Sequence, residues 1–164
     1  MPKKEKSNPW RTIRKQVLPQ CFKLGSIFFW PQEKHYFMYL GPSRDERTQS
    51  FFVMATSQQY RDIPQNFPIV PEDFRSANDE TRGRAFTKTT YFLFSKYLTY
   101  NFETAQLYEQ YLEGTLEYKF NLKIDLPDAF ERLITFMKDQ LPPAYVDMFL
   151  DPSNVLPDKK QSER

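Results

Sequence analysis

The stretch SIFFWPQEKHYFMYLGPSRDERTQSFFVMATS, residues 26–57, decides the fold. It holds three apolar runs of strand length, Ser26–Trp30, His35–Leu40 and Ser50–Ala55, rich in aromatic and β-branched residues. Pro31 ends the first run, Gly41-Pro42 ends the second, and the charged turn Ser43-Arg44-Asp45-Glu46-Arg47 precedes the third. Parallel strands need long crossovers, so such short connections favour antiparallel neighbours. The runs are almost continuously hydrophobic. That implies strands buried on both faces, or strands curled into a small barrel.

Outward from this stretch the texture changes. Residues 1–20, bounded by Pro9 and Pro19, read as a basic flexible arm with Trp10 as its one large anchor. Residues 58–86 carry no sustained period, apart from an extended piece at Phe67–Val70 and a helical turn at Pro71–Phe74. Thr89–Phe94 is a fourth strand. Asn101 is expected to cap a helix over Phe102–Glu113, which Gly114 stops. Leu116, Tyr118, Phe120 and Leu122 alternate, as on one face of a half-buried strand. A second helix runs from Asp125 and Pro127 to about Gln140, with a stripe of Phe130, Leu133, Ile134, Met137 and Leu141. A short third helix covers Ala144–Leu150, and residues 151–164 read as a polar tail. The expected class is α+β: one globular domain over 21–150, with a small antiparallel barrel at about 24–100 and a mainly helical extension at 101–150.

The scarce residues exclude several functions. The chain of 164 residues has four Gly, one His and one Cys, and no two glycines stand closer than Gly25 and Gly41. Gly-rich dinucleotide fingerprints, phosphate loops and nucleophile elbows are therefore impossible. A single His and a single Cys leave too few ligands for a standard Cys/His zinc site, so neither metal nor cofactor is expected. Charge is divided along the chain. Residues 1–16 hold six basic residues against one acid, while the remainder holds 17 basic against 20 acidic. Such an arm can hold nucleic acid electrostatically, and Arg11, Arg14 and Lys15 are its candidate contacts. The basic start lacks an apolar leader segment, and no apolar run approaches the length of a membrane span, so cytoplasmic residence without membrane contact is expected.

Few residues carry candidate chemistry. His35, the lone histidine, opens the second run. It suits a general base, since histidine is the commonest side chain in that role, and it equally suits a strand edge facing solvent. Thr56 and Ser57 stand where the third run stops, where hydroxyls bind phosphate oxygens or close a turn. Arg44 and Arg47 in the charged turn, with Arg82 and Arg84 in the long loop, are phosphate-clamp material, although each has an acid nearby. Most of the 28 aromatics are natural core filler.

The order Leu24-Gly25-Ser26-Ile27-Phe28, then His35–Leu40, then Phe52-Val53-Met54-Ala55-Thr56-Ser57, resembles the start of the PemK/MazF-like toxin family. The segment Phe86–Phe92 is similar to a later strand of that family. The resemblance spans about Leu24 to Tyr100. It implies an SH3-like β-barrel and metal-independent endoribonuclease chemistry, in which the RNA 2′-hydroxyl attacks the adjacent phosphate. Thr56, with Ser57, matches the family's hydroxyl position. The family's Arg at the start of the second strand is replaced by His35, so His35 would serve as base and Arg44 or Arg47 as phosphate clamp. The resemblance also implies RNA, a protein partner such as an antitoxin, and a homodimer as associates. Two other readings stand beside it: a non-enzymatic protein-interaction module on the same barrel, and a nucleic-acid binder that uses only the basic arm.

Overall fold

The computed structural model describes residues 9–43, 49–57, 66–74, 88–94 and 101–158. Three antiparallel strands, β1 (Ser26–Trp30), β2 (His35–Pro42) and β3 (Gln49–Thr56), form its centre. All three apolar runs of residues 26–57 are thus strands, with β2 and β3 each two residues longer than expected. Phe67–Ile69 (β4), Thr90–Phe92 (β5) and Asn101–Glu103 (β6) lie beyond β3, and Glu117–Asn121 (β7) lies beyond β1. The order is β4-β5-β3-β2-β1-β7. β6 and β5 share one edge of β3: β6 pairs with Gln49–Phe51, and β5 with Ala55–Thr56. The sheet curls into a half-barrel. Among the described residues no ladder joins β4 to β7.

The continuous hydrophobicity of the strands reflects burial on both faces. Along β2, Met38 and Leu40 enter one core while Phe37 and Tyr39 enter the other. The helices α4 (Pro127–Gln140) and α5 (Pro143–Phe149) cover the first core, with Phe130, Leu133, Met137 and Phe149 buried. The second core lies under α1 (Pro9–Cys21) and α2 (Thr104–Glu113). Cys21, Leu107 and Tyr111 meet Phe28, Phe37, Tyr39 and Phe52 there. Each face of a two-faced sheet needs its own cover, and the two helix pairs supply it.

Several sequence expectations are corrected. The arm expected over residues 1–20 contains α1. Pro9 occupies its first helical position, where a missing N–H costs nothing, and Pro19 falls in its last turn. The expected helix start at Phe102 is strand β6, because the backbone of 101–103 pairs with β3, and α2 begins at Thr104. Leu116 to Leu122 do not share a face. Ile27 pairs with Phe120 but Phe28 pairs with Tyr118, so Lys119 is the extra residue of a bulge. Leu116 and Tyr118 consequently join the second core, while Phe120 and Leu122 join the first. A short helix, α3 (Leu122–Asp125), follows, capped by the side chain of Asn121.

The expected tail is anchored as far as Asp158. Asn154 is buried. Its amide nitrogen donates to the Leu40 carbonyl (2.7 Å) and the Phe149 carbonyl (2.9 Å), and its own carbonyl accepts from Leu24 N–H (2.8 Å). Lys23 donates to the Ser153 carbonyl, and Lys123 reaches the Leu156 carbonyl and the Asp158 carboxylate. No helix among the described residues is long and apolar enough to cross a membrane.

Candidate functional site

His35 and Thr56 lie at the same end of β2 and β3, beyond the last bonded pair of the ladder. The β2–β3 ladder bonds Phe37 opposite Met54. Two residues further along each strand, at the same end, stand His35 and Thr56. Side chains alternate along a strand, so His35 lies on the face of Phe37 and Tyr39, and Thr56 on the face of Phe52 and Met54. That is one face, the side of α1 and α2. His35 is exposed and Thr56 half-buried, with Ser57 exposed beyond it.

The β1–β2 turn aims His35. Trp30 pairs with His35, Glu33 N–H donates to the Trp30 carbonyl (3.1 Å), and Lys34 takes a left-handed φ of 53°. A non-glycine residue in that region closes the four-residue turn at some cost, and His35 is the first residue after it. On the far side Thr56 pairs with Tyr91, and Tyr91 with Pro68. The pairs Trp30 with His35 and Thr56 with Tyr91 therefore both lie at this end of the sheet. Trp30 is held from behind by Phe102 (centroids 5.7 Å apart) and Phe37 (6.0 Å).

The cations fall differently from expectation. Arg44, Arg47, Arg82 and Arg84 lie outside the described residues. The described ends of the β2–β3 connection, Ser43 and Gln49, hydrogen-bond at the opposite end of the ladder (2.8 Å). The expectation that Arg44 or Arg47 serves the His35 site therefore falls on residues outside those described. Sequence reasoning passed over the described cations at the right end, Lys34 and Lys88. Lys34 immediately precedes His35, and Lys88 stands three residues before Tyr91; both are exposed. Their signal was positional, since each flanks a strand end that faces the site.

The basic residues of α1 serve the fold. Arg11 pairs with Glu109 of α2 (2.9 Å), and its hydrogen bond holds the Glu109 carboxyl below the usual carboxylate range. Arg14 donates to the Leu112 carbonyl (3.2 Å), and its guanidinium lies over Gly114, whose φ of 87° ends α2. Lys15 is exposed. Cys21 is buried with its Sγ 3.5 Å from the Tyr111 hydroxyl, and burial pushes its thiol pKa up, away from the reactive thiolate.

A concavity of about 900 Å³ lies between β4 and α4. Phe67, Pro68 and Val70 meet α4 there at Phe136, and the Asp73–Arg132 ion pair (2.8 Å) bridges its walls. Compared with family models, with curated proteins and with solved structures, the sequence matches none.

Proposed function

We propose that the chain is a PemK/MazF-like protein that acts on RNA as a metal-independent endoribonuclease, with the curled antiparallel sheet standing for the family's SH3-like barrel. The observation that supports this reading is the placement of His35 and Thr56 at one end and on one face of the β2–β3 pair. In this mechanism the His35 imidazole takes the proton of an RNA 2′-hydroxyl. The 2′-oxygen then bonds to the adjacent phosphorus, and the bond from phosphorus to the 5′-oxygen breaks. The proton passes to the departing 5′-oxygen, leaving a 2′,3′-cyclic phosphate. Thr56, with Ser57, donates a hydrogen bond that orients a phosphoryl oxygen. Lys34 and Lys88 supply positive charge at that end, and Arg82 and Arg84 precede Lys88 closely enough in sequence to join them.

The test is cleavage of varied RNAs in the presence of a chelator, comparing the wild type with His35→Ala and Thr56→Ala. Loss of the base should lower the rate by about 10²- to 10⁴-fold, the usual share of general base catalysis. Absence of cleavage by the wild type, or cleavage unchanged from wild type in both variants, refutes the site.

A further inference from the structure

Three large apolar side chains stand out on the described surface, and all belong to α1: Trp10 (64% exposed), Ile13 (51%) and Val17 (39%). Their spacing of i, i+3 and i+7 forms one stripe, the anchor pattern of a helix that lies in a groove. Leu18 and Cys21 pack α1 on its own molecule, with Arg11 and Arg14 tied to α2. The sequence leading into the stripe carries Lys3, Lys4 and Lys6 against Glu5.

The groove between β4 and α4 has the opposite character. Its floor is apolar, from Phe67, Pro68, Val70 and Phe136. Asp128, Glu131 and Asp139 rim it from α4, and its lone cation, Arg132, is already paired with Asp73. It is therefore net acidic and shaped for an apolar, basic helix.

The stripe and the groove sit on opposite sides of the sheet. α1 packs on the second core, while Phe67 and Phe136 belong to the first. A docked α1 cannot turn its stripe into the groove of its own chain. We propose that α1 of one copy, through Trp10, Ile13 and Val17, docks in the β4–α4 groove of a second copy. The two surfaces differ, so the contact is heterologous, and copies add head to tail. A single helix face buries less than the roughly 1,200 Å² of a stable complex, so the association is transient and salt-sensitive.

Sedimentation of the full chain from about 5 to about 500 µM tests this, across the range where weak interfaces assemble. The average mass should rise with concentration and fall back as salt is raised. Ile13→Glu removes the stripe, and Glu131→Lys reverses the groove; each alone should weaken association by about tenfold or more. Mixing the two variants is decisive, because one keeps an intact groove and the other an intact stripe. The mixture should form one-to-one pairs that grow no further. Trp10→Ala and Asp139→Asn, both at exposed positions, repeat the two arms if either first variant misfolds. A wild type that stays monomeric throughout, association unchanged in either arm, or a mixture that fails to pair overturns the proposal.

Discussion

Gly41 and Asn154 share a space that holds only one side chain. A Cβ on Gly41 would stand 2.5 Å from Nδ2 of Asn154, and the φ of Gly41, 153°, is one that L residues rarely adopt. The register of β2 against β3 shifts at this point, between Tyr39 and Gly41. The same Asn154 amide satisfies the Leu40 and Phe149 carbonyls. Asn154→Ala strands two buried acceptors, at about 1–3 kcal/mol each. Chemical denaturation should show a loss of about 2–4 kcal/mol for Asn154→Ala, within the range that unpaired buried polar groups cost. Gly41→Ala should also lose stability. Combining it with Asn154→Ala should cost less than the sum of the two, because the steric conflict is then gone while the backbone strain stays.

Lys34 is the described non-glycine residue with a positive φ, at 53°. That conformation costs an L side chain roughly 1–2 kcal/mol, and glycine adopts it freely. Lys34→Gly should raise the thermal midpoint, less the entropy that glycine adds to the unfolded chain. It also removes a cation beside His35. If Lys34 serves RNA, the variant should be more stable yet bind RNA with a flatter salt dependence. Unchanged salt dependence would confine Lys34 to the turn.

Alkaline pH should unfold this protein through its second core. Burial pushes the Tyr39 hydroxyl well above its ordinary pKa, an effect its hydrogen bond to Ser50 (3.3 Å) only partly offsets. Tyr39 in the unfolded chain ionises near pH 10, below its folded value, so folding stability is full below that pH and falls as pH rises beyond it. Ultraviolet titration should show Tyr39 ionising only as structure is lost. Tyr39→Phe should flatten the decline.

Acid should loosen α1. The Glu109 carboxyl is depressed by its hydrogen bond with Arg11, so the pair's contribution is present above the ordinary glutamate pKa and fades as pH falls through the lower folded value. Carboxyl chemical shifts should report Glu109 titrating below the other exposed glutamates, and Arg11→Ala should return it to the common range. Glu109 titrating with the rest in the wild type would mean that the pair does not persist in solution.

The elements read well from sequence are those whose pattern is local. β1, β2 and β3 lie in uninterrupted apolar runs, and α4 repeats Phe130, Leu133 and Met137 at helical spacing. The missed elements depend on distant partners. Asn101–Glu103 looks like a helix entry until β3 supplies hydrogen bonds for its backbone. The bulge at Lys119 exists only in the ladder with Ile27 and Phe28, so simple alternation misassigned both faces of β7. Asp151–Asp158 is polar enough to look like a tail because its anchors are carbonyl and amide contacts, with little apolar content to betray them. For the candidate site, His35 was named as the lone histidine at a strand start and Thr56 as a hydroxyl at a strand end that matches the resembled family, and the antiparallel pairing of β2 and β3 sets them at one end.

Leu40 and Asn154 are 114 positions apart. A ribosome adding about 5–20 residues per second makes the first of them some 6–23 seconds before the second. Through that interval β2 waits without the residue that closes its carbonyl, and its first-core face waits for α4 and α5. Newborn chains of this protein therefore pass through an obligatory sticky period, longest where translation is slow. Codon choice over residues 122–154 and access to holdase chaperones should govern its yield in a cell more than the strength of any one contact in the finished fold.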